Sequence, residues 1–558
     1  MRTPFGLVIS ACGLSVLFIS CASHPRSAEV SPKKASGTLQ AEQPKLGSHT
    51  FKVSTKSRDA QKAFDRGLIL AYSFSHRTAE AEFRKAAEAD PELAMAWWGV
   101  ALVNGPHINF PMVPPDNAKK AWEAITKAQQ LAPKATPIEQ ALIRALSTRY
   151  VQSQPEDRSS LDQAYAAAMR QVWHQFTESA DAGALYAESM MDLRPWDLWT
   201  QDGKPQPGTE EIVETLEAVL RLDAKHPGAN HYYIHTVEAS PHPEKAVPAA
   251  NRLRTLVPEA SHMVHMPAHI YARVGRWDDA AECNIQAMKA DTAYRAANPR
   301  PGFYALYMAH NAHFFTFAAM MQGRSAESIA HARQMVKDVP EEFLKQFGSV
   351  ADGFMIFPSE VLMRFGKWDE VLAEPEPAAD LPLSRALWHY TRASALTAKN
   401  SMEDAEKEQV KFQEAAAKVP AGYTFGNNSA SNVLAIAARH LQGEMEAKRR
   451  HIEPALASLR EAVRIEDTLR YDEPPDWIQP VRHTLGAVLM RAERPQEAEE
   501  VYREDLKRSP QNGWALYGLA SALRSQGKTK EAAEVDKQFT KGWSKANVRL
   551  TTTCFCQQ

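Results

Sequence analysis

Histidine spacing is the feature of this chain that is best suited to chemistry. Nine of the 19 histidines lie between His226 and His313, in less than a fifth of the 558 residues. Seven of these nine form three groups with internal spacings of three or four residues: His231 and His235; His262, His265 and His269; His310 and His313. Residues three or four apart share one face of a helix. The pattern therefore predicts three helices, each with a stripe of imidazoles.

Converging imidazoles indicate a transition metal, because protonated rings would repel one another and neutral histidine is the commonest metal ligand. One ion can take ligands from two adjacent helices, and two ions can take ligands from all three. A site with an open coordination position is typical of a zinc hydrolase or of a copper or iron oxidoreductase, whereas a closed site stores metal or holds structure. The alternative is a polar groove whose imidazoles bind a peptide or an anion without metal.

Two carboxylates are candidates for catalysis beside such a metal. Glu238 lies three residues after His235, and Glu188 lies in the helical segment ALYAESMMDL that precedes the histidines. A carboxylate next to a metal-bound water serves as a general base in hydrolysis. Either residue could instead have a packing role.

A pair of cysteines near the carboxyl end adds a second candidate metal ligand set. The chain ends in TTTCFCQQ, with Cys554 and Cys556 separated by one residue. We predict that these thiolates hold copper(I) or zinc, for which sulfur is a suitable ligand; the alternatives are a frayed tail and an intermolecular disulfide. If the tail folds back to the histidines, sulfur and imidazole together favour copper or zinc as the cofactor. Cys283 is predicted to be a buried, inert thiol.

The overall composition is that of a folded helical protein. Hydrophobic residues make up 44% and charged residues 24%, and the formal net charge is −2. Without a basic excess, binding to nucleic acid through bulk charge is not expected. The 35 prolines and 25 glycines suit many short helices separated by turns.

The amino end carries features of export. Arg2 precedes a continuous apolar run from Phe5 to Ile19, which is too short for a membrane span. The run ends at Ser20-Cys21 and resembles a bacterial lipoprotein signal, which implies cleavage after residue 20, lipidation of Cys21 and an outer-membrane anchor facing the periplasm. An ordinary signal peptide is the alternative. Residues 21–57 are rich in Ser, Pro, Lys and Gln, and we predict a flexible tether.

From residue 58 the chain repeats itself. The first unit carries small residues, aromatic residues and a late proline at characteristic offsets: Gly67, Tyr72, Ala79, Phe83, Ala86 and Pro91. This pattern resembles the tetratricopeptide repeat, a 34-residue helix–turn–helix unit. The resemblance implies an all-α solenoid with an N-terminal repeat-like region (58–225), a histidine-rich region (226–345), C-terminal repeats (346–546) and a cysteine-containing tail (547–558). Three insertions interrupt the period at 105–116, 195–208 and 292–303.

The repeat register places the histidines together. Counted within their units, they occupy the second, fifth and ninth places, and Glu238 occupies the twelfth. The resemblance implies that these places face the concave groove, so three consecutive helices would line one groove with seven imidazoles and a carboxylate. We therefore predict an exported, lipid-anchored metal-binding repeat protein. The alternatives are an adaptor of the bacterial envelope that docks a peptide or partner protein, and an assembly lipoprotein in which the tether matters more than the groove.

Overall fold

A computed structural model describes residues 45–298 and 302–557 of the chain. The predicted signal peptide, the lipidation site Cys21 and the tether as far as residue 44 lie outside the described residues. None of the helices in the described ranges is long and apolar enough to cross a membrane.

Nearly all regular structure in these ranges is helical. The first part contains α1 (Arg58–Tyr72), α2 (His76–Ala89), α3 (Ala94–Leu102), α4 (Pro115–Leu131), α5 (Pro137–Ser147), α6 (Ser159–Gln175), α7 (Ala180–Met191) and α8 (Thr209–Leu222). The middle part contains α9 (Pro227–Val237), α10 (Val247–Leu256), α11 (Ser261–His265), α12 (Pro267–Arg273), α13 (Trp277–Ala297), α14 (Tyr304–Met321), α15 (Ser325–Asp338) and α16 (Glu341–Ala351). The last part contains α17 (Phe357–Arg364), α18 (Trp368–Ala373), α19 (Pro382–Ala398), α20 (Met402–Ala416), α21 (Ala430–Lys448), α22 (Ile452–Glu466), α23 (Val481–Arg491), α24 (Pro495–Arg508), α25 (Gly513–Ser525) and α26 (Thr529–Gly542).

Short 3₁₀ turns and one small hairpin complete the described structure. The turns are Ala132–Lys134, Pro243–Ala246, Asp352–Ile356 and Phe555–Gln557. The strands β1 (Thr424–Phe425) and β2 (Asn428–Ser429) pair antiparallel, with Thr424 opposite Ser429. This hairpin lies just before α21, in the loop that follows α20.

Successive helices pack as antiparallel hairpins, and successive hairpins stack. The pairs are α1 with α2, α3 with α4, α5 with α6, α7 with α8, α9 with α10, α11 and α12 with α13, α14 with α15, α17 with α18, α19 with α20, α21 with α22, α23 with α24, and α25 with α26. The chain is therefore an all-α solenoid of tetratricopeptide-repeat type, as predicted. The pairing continues through residues 115–222, where the repeat pattern of the sequence is weak.

Small residues allow the helices of a unit to approach closely. Phe83 of α2 is fully buried and lies between Gly67 of α1 and Gly99 of α3. A Cβ atom at Gly67 would lie 2.7 Å from the Phe83 ring, closer than packed carbon atoms come. The glycine and aromatic positions of the repeat pattern are thus explained by contact between neighbouring helices.

Residues 45–57, which fall within the tether predicted from the sequence, pack against the helices. Leu46 and Val53 are each only 4% exposed. The backbone N–H of Ser54 donates to Glu139 Oε1 at 2.8 Å, and the same carboxylate completes a capping box with Thr136 at the start of α5. The average composition of the segment is polar. It does not reveal the two apolar side chains that anchor the segment, or the Glu139 carboxylate that accepts a hydrogen bond from its backbone.

The last repeats fold back against the middle of the solenoid. The Trp277 indole N–H donates to the carbonyl of Pro510 at 2.9 Å, and the Trp514 indole N–H donates to the carbonyl of Met320 at 2.8 Å. Arg470 donates to the carbonyl of Trp196 at 3.2 Å. The superhelix is thus closed across its groove, so the residues predicted to line an open surface lie in the interior.

We expect Trp514→Ala to destabilise this closure strongly. The side chain is fully buried, and the Arg364 guanidinium lies 3.5 Å from its ring centroid. Removing a buried tryptophan costs about 3–5 kcal/mol, which should lower the urea midpoint measured by circular dichroism. Trp514→Phe keeps an aromatic ring at this position and removes the indole N–H donor, so it should lower the free energy of unfolding by less than Trp514→Ala does. Equal midpoints for Trp514→Ala and the unchanged chain would contradict the assigned role.

Candidate metal centre

Three hairpins position the histidine groups in the interior. Every residue of α9 is buried, so the stripe formed by His231 and His235 faces protein rather than water. The segments α11 and α12 meet at Met266, whose backbone is helical (φ −51°, ψ −36°), and they carry the next group along one nearly continuous axis. The third group lies on α14. The predicted convergence of three helices is present in the structure.

The rings form two clusters, each with three imidazole nitrogens close enough to share one ion. We call His231, His235 and His262 triad A, and His265, His269 and His310 triad B. Within each triad, one ring nitrogen per residue lies within 4.8 Å of the other two. Three ligands at about 2.0–2.1 Å from a metal lie about 3.3 Å from one another. Both triads therefore approach the spacing of a coordination sphere.

Two of the three rings of triad A, those of His231 and His235, have an acceptor at Nδ1, whereas His262 Nδ1 has no hydrogen-bond partner among the described residues. His231 Nδ1 lies 2.6 Å from the carbonyl oxygen of Tyr72, the last residue of α1. His231 Nε2 points the other way and lies 3.1 Å from His262 Nε2. His235 Nδ1 lies 2.8 Å from Glu238 Oε1, and its Nε2 is buried without a hydrogen-bond partner in the described part of the chain.

Triad B repeats this arrangement. His265 Nδ1 lies 2.7 Å from Asn284 Oδ1, and Asn284 Nδ2 donates to the carbonyl of Ala280, which leaves the amide oxygen facing the ring. His269 Nδ1 lies 2.5 Å from Glu238 Oε2. The Nε2 atoms of His265 and His269 lie 2.8 Å apart. The His310 ring centroid is 4.6 Å from that of His265.

One carboxylate joins the two triads. Glu238 is 1% exposed, and its two oxygens contact His235 of triad A and His269 of triad B. Burial alone would raise the pKa of Glu238, but His269 and His235 lower it to about 2. Glu238 is therefore an ionised acceptor for both rings. It was a candidate general base, but both of its oxygens are engaged behind the ligands.

These contacts decide which nitrogen carries hydrogen. A carbonyl, an amide oxygen and a carboxylate only accept, so Nδ1 is the protonated nitrogen in His231, His235, His265 and His269. In the neutral rings, Nε2 then has a free lone pair that points into the cluster. For His265 and His269, two such lone pairs face each other at 2.8 Å. A cation between them, either a proton or a metal ion, is needed to relieve that contact.

The electrostatics keep most of the rings neutral. Burial lowers the pKa of His231, His262, His265 and His310 well below the usual value, and neighbouring imidazoles lower it further. Burial also lowers the pKa of His235, against the opposing effect of Glu238. For His269, the Glu238 carboxylate outweighs burial and raises the pKa. Neutral imidazole is the form that binds metal.

Two of the predicted site residues belong to neither triad. His313 lines the same small cavity as His310, but its ring packs edge to face against Phe354 and Phe357. The two histidines are three residues apart, which is a rotation of about 300° around α14. Glu188 hydrogen bonds with Asp192, and Asp192 pairs with Arg149 at 2.5 Å. Glu188 therefore belongs to a buried network of carboxylates that is paired with Arg149.

The cysteine tail is buried at a different location. Cys554 and Cys556 form a disulfide, so the thiolates predicted to bind metal are not free in this structure. The tail lies against α23, where Thr553 Oγ1 donates to the carbonyl of His483 at 2.7 Å. Glu444 offers an oxygen within 4.8 Å of both sulfurs. The histidine triads and the tail are separate features, and Cys283 is the buried free thiol that the sequence predicts.

A third cluster has a structural explanation. Asp181 Oδ1 lies 2.9 Å from His49 Nε2 and 3.2 Å from His226 Nε2, and it accepts from Tyr72 Oη at 2.7 Å. His226 Nδ1 accepts from the backbone N–H of Ala229 and caps α9. The hydrogen of His226 is therefore on Nε2 and points to Asp181. This cluster anchors the segment before α1 and leaves no histidine lone pair for a metal there.

A cavity gives access to both triads. Its volume is about 250 Å³, and its walls include His235 and His262 from triad A and His269 and His310 from triad B. A second cavity of about 680 Å³ reaches His235 and Glu238 from another side. Asn284 and Tyr72 accept hydrogen bonds from triad histidines. The sequence gives no sign of this role, because a single asparagine and a backbone carbonyl form no recognisable motif.

Comparison with known proteins adds little beyond this geometry. No model of a known protein family matches the chain, and no curated protein matches it. Among solved structures, the human IFIT1 dimer with m7Gppp-AAAA is 13% identical with a TM-score of 0.33, and the match covers 88% of this chain and 91% of that one. The human IFIT1 dimer with PPP-AAAA gives 13% and 0.32, with coverages of 85% and 88%. We draw no argument from TM-scores this low. Fold and site together define a helical-repeat protein with two buried histidine triads.

Proposed function

We propose that the protein binds two transition-metal ions, one in each triad, and that the pair forms a catalytic metal centre in the interior of the solenoid. The observation that carries the proposal is the convergence of six imidazoles, four of which are held through Nδ1 by fixed acceptors so that Nε2 faces the cluster. Hydrogen bonding of the remote ring nitrogen is the usual arrangement behind a metal-bound histidine. Burying several imidazoles with their Nε2 lone pairs facing one another also costs free energy when no cation lies between them.

The donor set narrows the metal. All six donors are imidazole nitrogens, which suit copper, zinc, iron and nickel and are poor ligands for magnesium and calcium. The cofactors that we propose are copper or zinc, in preference to iron. Three protein ligands leave a coordination position for water or substrate. The cavity beside the triads provides room for it, which favours a catalytic site over a closed store.

The protein residues then have distinct roles. The six histidines hold the ions, and Glu238 with Asn284 and the Tyr72 carbonyl orient the rings. With zinc the reaction class is hydrolysis through an activated water, and with copper or iron it is oxidation. A peptide-docking adaptor would need an open groove at these histidines. The closure by the last repeats supports the metal proposal instead.

Export and membrane anchoring remain part of the proposal. They rest on the apolar run before Cys21 and on its resemblance to lipoprotein signals. An exported protein would acquire its metal in the envelope, and the partner in this picture is the metal ion together with the lipid bilayer that holds the anchor.

Elemental analysis tests the proposal directly. The protein, purified without a histidine tag, is analysed by inductively coupled plasma mass spectrometry as isolated and after chelation and reloading with copper or zinc. We expect about two ions per chain, because there are two triads. Folding is monitored by circular dichroism at each step. Folded protein that contains no metal and takes up none would overturn the proposal.

A further inference from the structure

Two chambers of different character meet at the metal centre. The smaller cavity of about 250 Å³ is bounded by α14, α15, α16 and the 3₁₀ turn that follows. Its apolar wall includes Leu306, Tyr307, Phe343, Val350, Phe354 and Met355. Besides the triad histidines, the polar groups come from His313, Asn109, Asn427 and Asp472. We call this space the apolar chamber.

Charge separates the apolar chamber from its neighbour. No lysine or arginine is among the described residues that line it. The larger cavity, which we call the charged chamber, has a cationic and acidic lining that includes Arg194, Arg273, Arg470, Lys507, Arg508, Asp467 and Glu504. An anionic ligand would find lysine and arginine counterions in the charged chamber, whereas in the apolar chamber the triads with their proposed ions are the positive centres among the described lining residues.

Trp196 and His235 form the boundary, since both residues line both chambers. The Trp196 ring meets the His235 ring edge to face, with centroids 5.3 Å apart. The backbone of Trp196 has φ 57°, which is a strained conformation for a bulky residue. Such strain at a site indicates that the ring position matters. The tryptophan shields one side of the triads from the charged chamber.

We infer that the substrate of the metal centre is a small organic molecule with an apolar body about the size of one ring, bound in the apolar chamber with its polar group towards the triads. This inference rests on the proposed function and names its substrate class. Aromatic and aliphatic walls contribute by burial of apolar surface. The asparagines can orient one polar substituent, and four of the triad histidines line the same chamber.

The volume of the apolar chamber supports a substrate about the size of one ring. Pockets for drug-sized ligands have volumes of about 300–1,000 Å³, and the apolar chamber lies just below that range. A peptide segment or a nucleotide is therefore too large to be enclosed there. Val350 of α16 is 45% exposed and lines the chamber, so α16 marks the side from which a substrate enters.

The test compares two uncharged alcohols that differ in their apolar body. Benzyl alcohol and glycerol are titrated into the purified protein, and binding is measured by isothermal titration calorimetry and by saturation-transfer NMR. We expect saturable binding of benzyl alcohol and at least tenfold weaker binding of glycerol. Equal or tighter binding of glycerol, or no binding of benzyl alcohol, overturns the inference.

Two variants locate the probe. Val350→Trp and Leu306→Trp place bulk in the apolar chamber from α16 and α14, and each should weaken benzyl alcohol binding at least tenfold with unchanged metal content. Val410→Trp is the matched control, because Val410 is 52% exposed on α20 and lines neither chamber. Unchanged binding in both filled variants overturns the assignment. Metal content is measured on the same samples. Absence of metal would contradict the proposed function, whereas absence of probe binding to metal-containing protein would contradict the substrate assignment.

Discussion

Replacing His265 and His310 together by alanine is expected to reduce the bound metal from two ions per chain to one. These residues supply two of the three donors of triad B. Neither of them contacts Glu238, so the pairs of Glu238 with His235 and His269 are retained. A single remaining imidazole cannot hold an ion against water. Triad A keeps all of its donors, and its ion should stay.

The mirror variant and a control make this result specific. His231→Ala with His262→Ala removes two donors of triad A and should leave the ion of triad B. His313→Ala removes a buried histidine of α14 that lies outside both triads, so it should keep both ions. Elemental analysis and circular dichroism are measured on all three variants. Loss of both ions from either double variant, or of neither, contradicts the division into two separate triads.

Glu238→Gln is expected to weaken metal binding at one triad by about 10–100-fold, the usual effect of losing a group that orients a metal-bound histidine. The glutamine oxygen can accept from only one Nδ1–H, whereas its NH₂ group faces the other ring. That ring must then move its hydrogen to Nε2, which points at the metal. Competition with a chelator of known affinity measures the two binding constants.

A neighbouring carboxylate provides the control for this variant. Glu244 is close in sequence and pairs with His242, but its side chain is 60% exposed, so Glu244→Gln should keep both affinities. Glu238→Ala leaves both rings without their acceptor and should weaken both sites. Equal affinities in Glu238→Gln and the unchanged chain would show that the carboxylate does not orient the ligands.

Much of the fold and of the donor set can be predicted from local patterns. The spacing of three and four residues places His231 with His235, and His262 with His265 and His269, on common helix faces, and the repeat register brings these faces together. The same rule is less reliable for His310 and His313, because residues three apart on a helix are rotated by about 60° from each other. Both line the small cavity, but only His310 belongs to a triad.

Features that depend on contacts between distant segments cannot be predicted from local sequence patterns. The closure through Trp277, Trp514 and Arg470 joins segments about 200 or more residues apart, as their hydrogen-bond partners show. Nothing in a repeat motif encodes that pairing. The packing of the Cys554–Cys556 disulfide against α23 likewise depends on distant contacts, whereas the spacing of the two cysteines predicted metal-binding thiolates.

The closure of the solenoid also bears on how long a bound ion would stay. All six triad histidines precede residue 311, whereas the segments that cover them, including Arg470, Tyr471 and Asp472, come much later in the chain. In chain order, the complete donor set therefore precedes its cover. With the last repeats seated, the residence time of a bound ion would depend on the two cavities that reach the triads and on how often those repeats open. A variant that loosens the carboxyl-terminal repeats would then release metal faster with every ligand still in place.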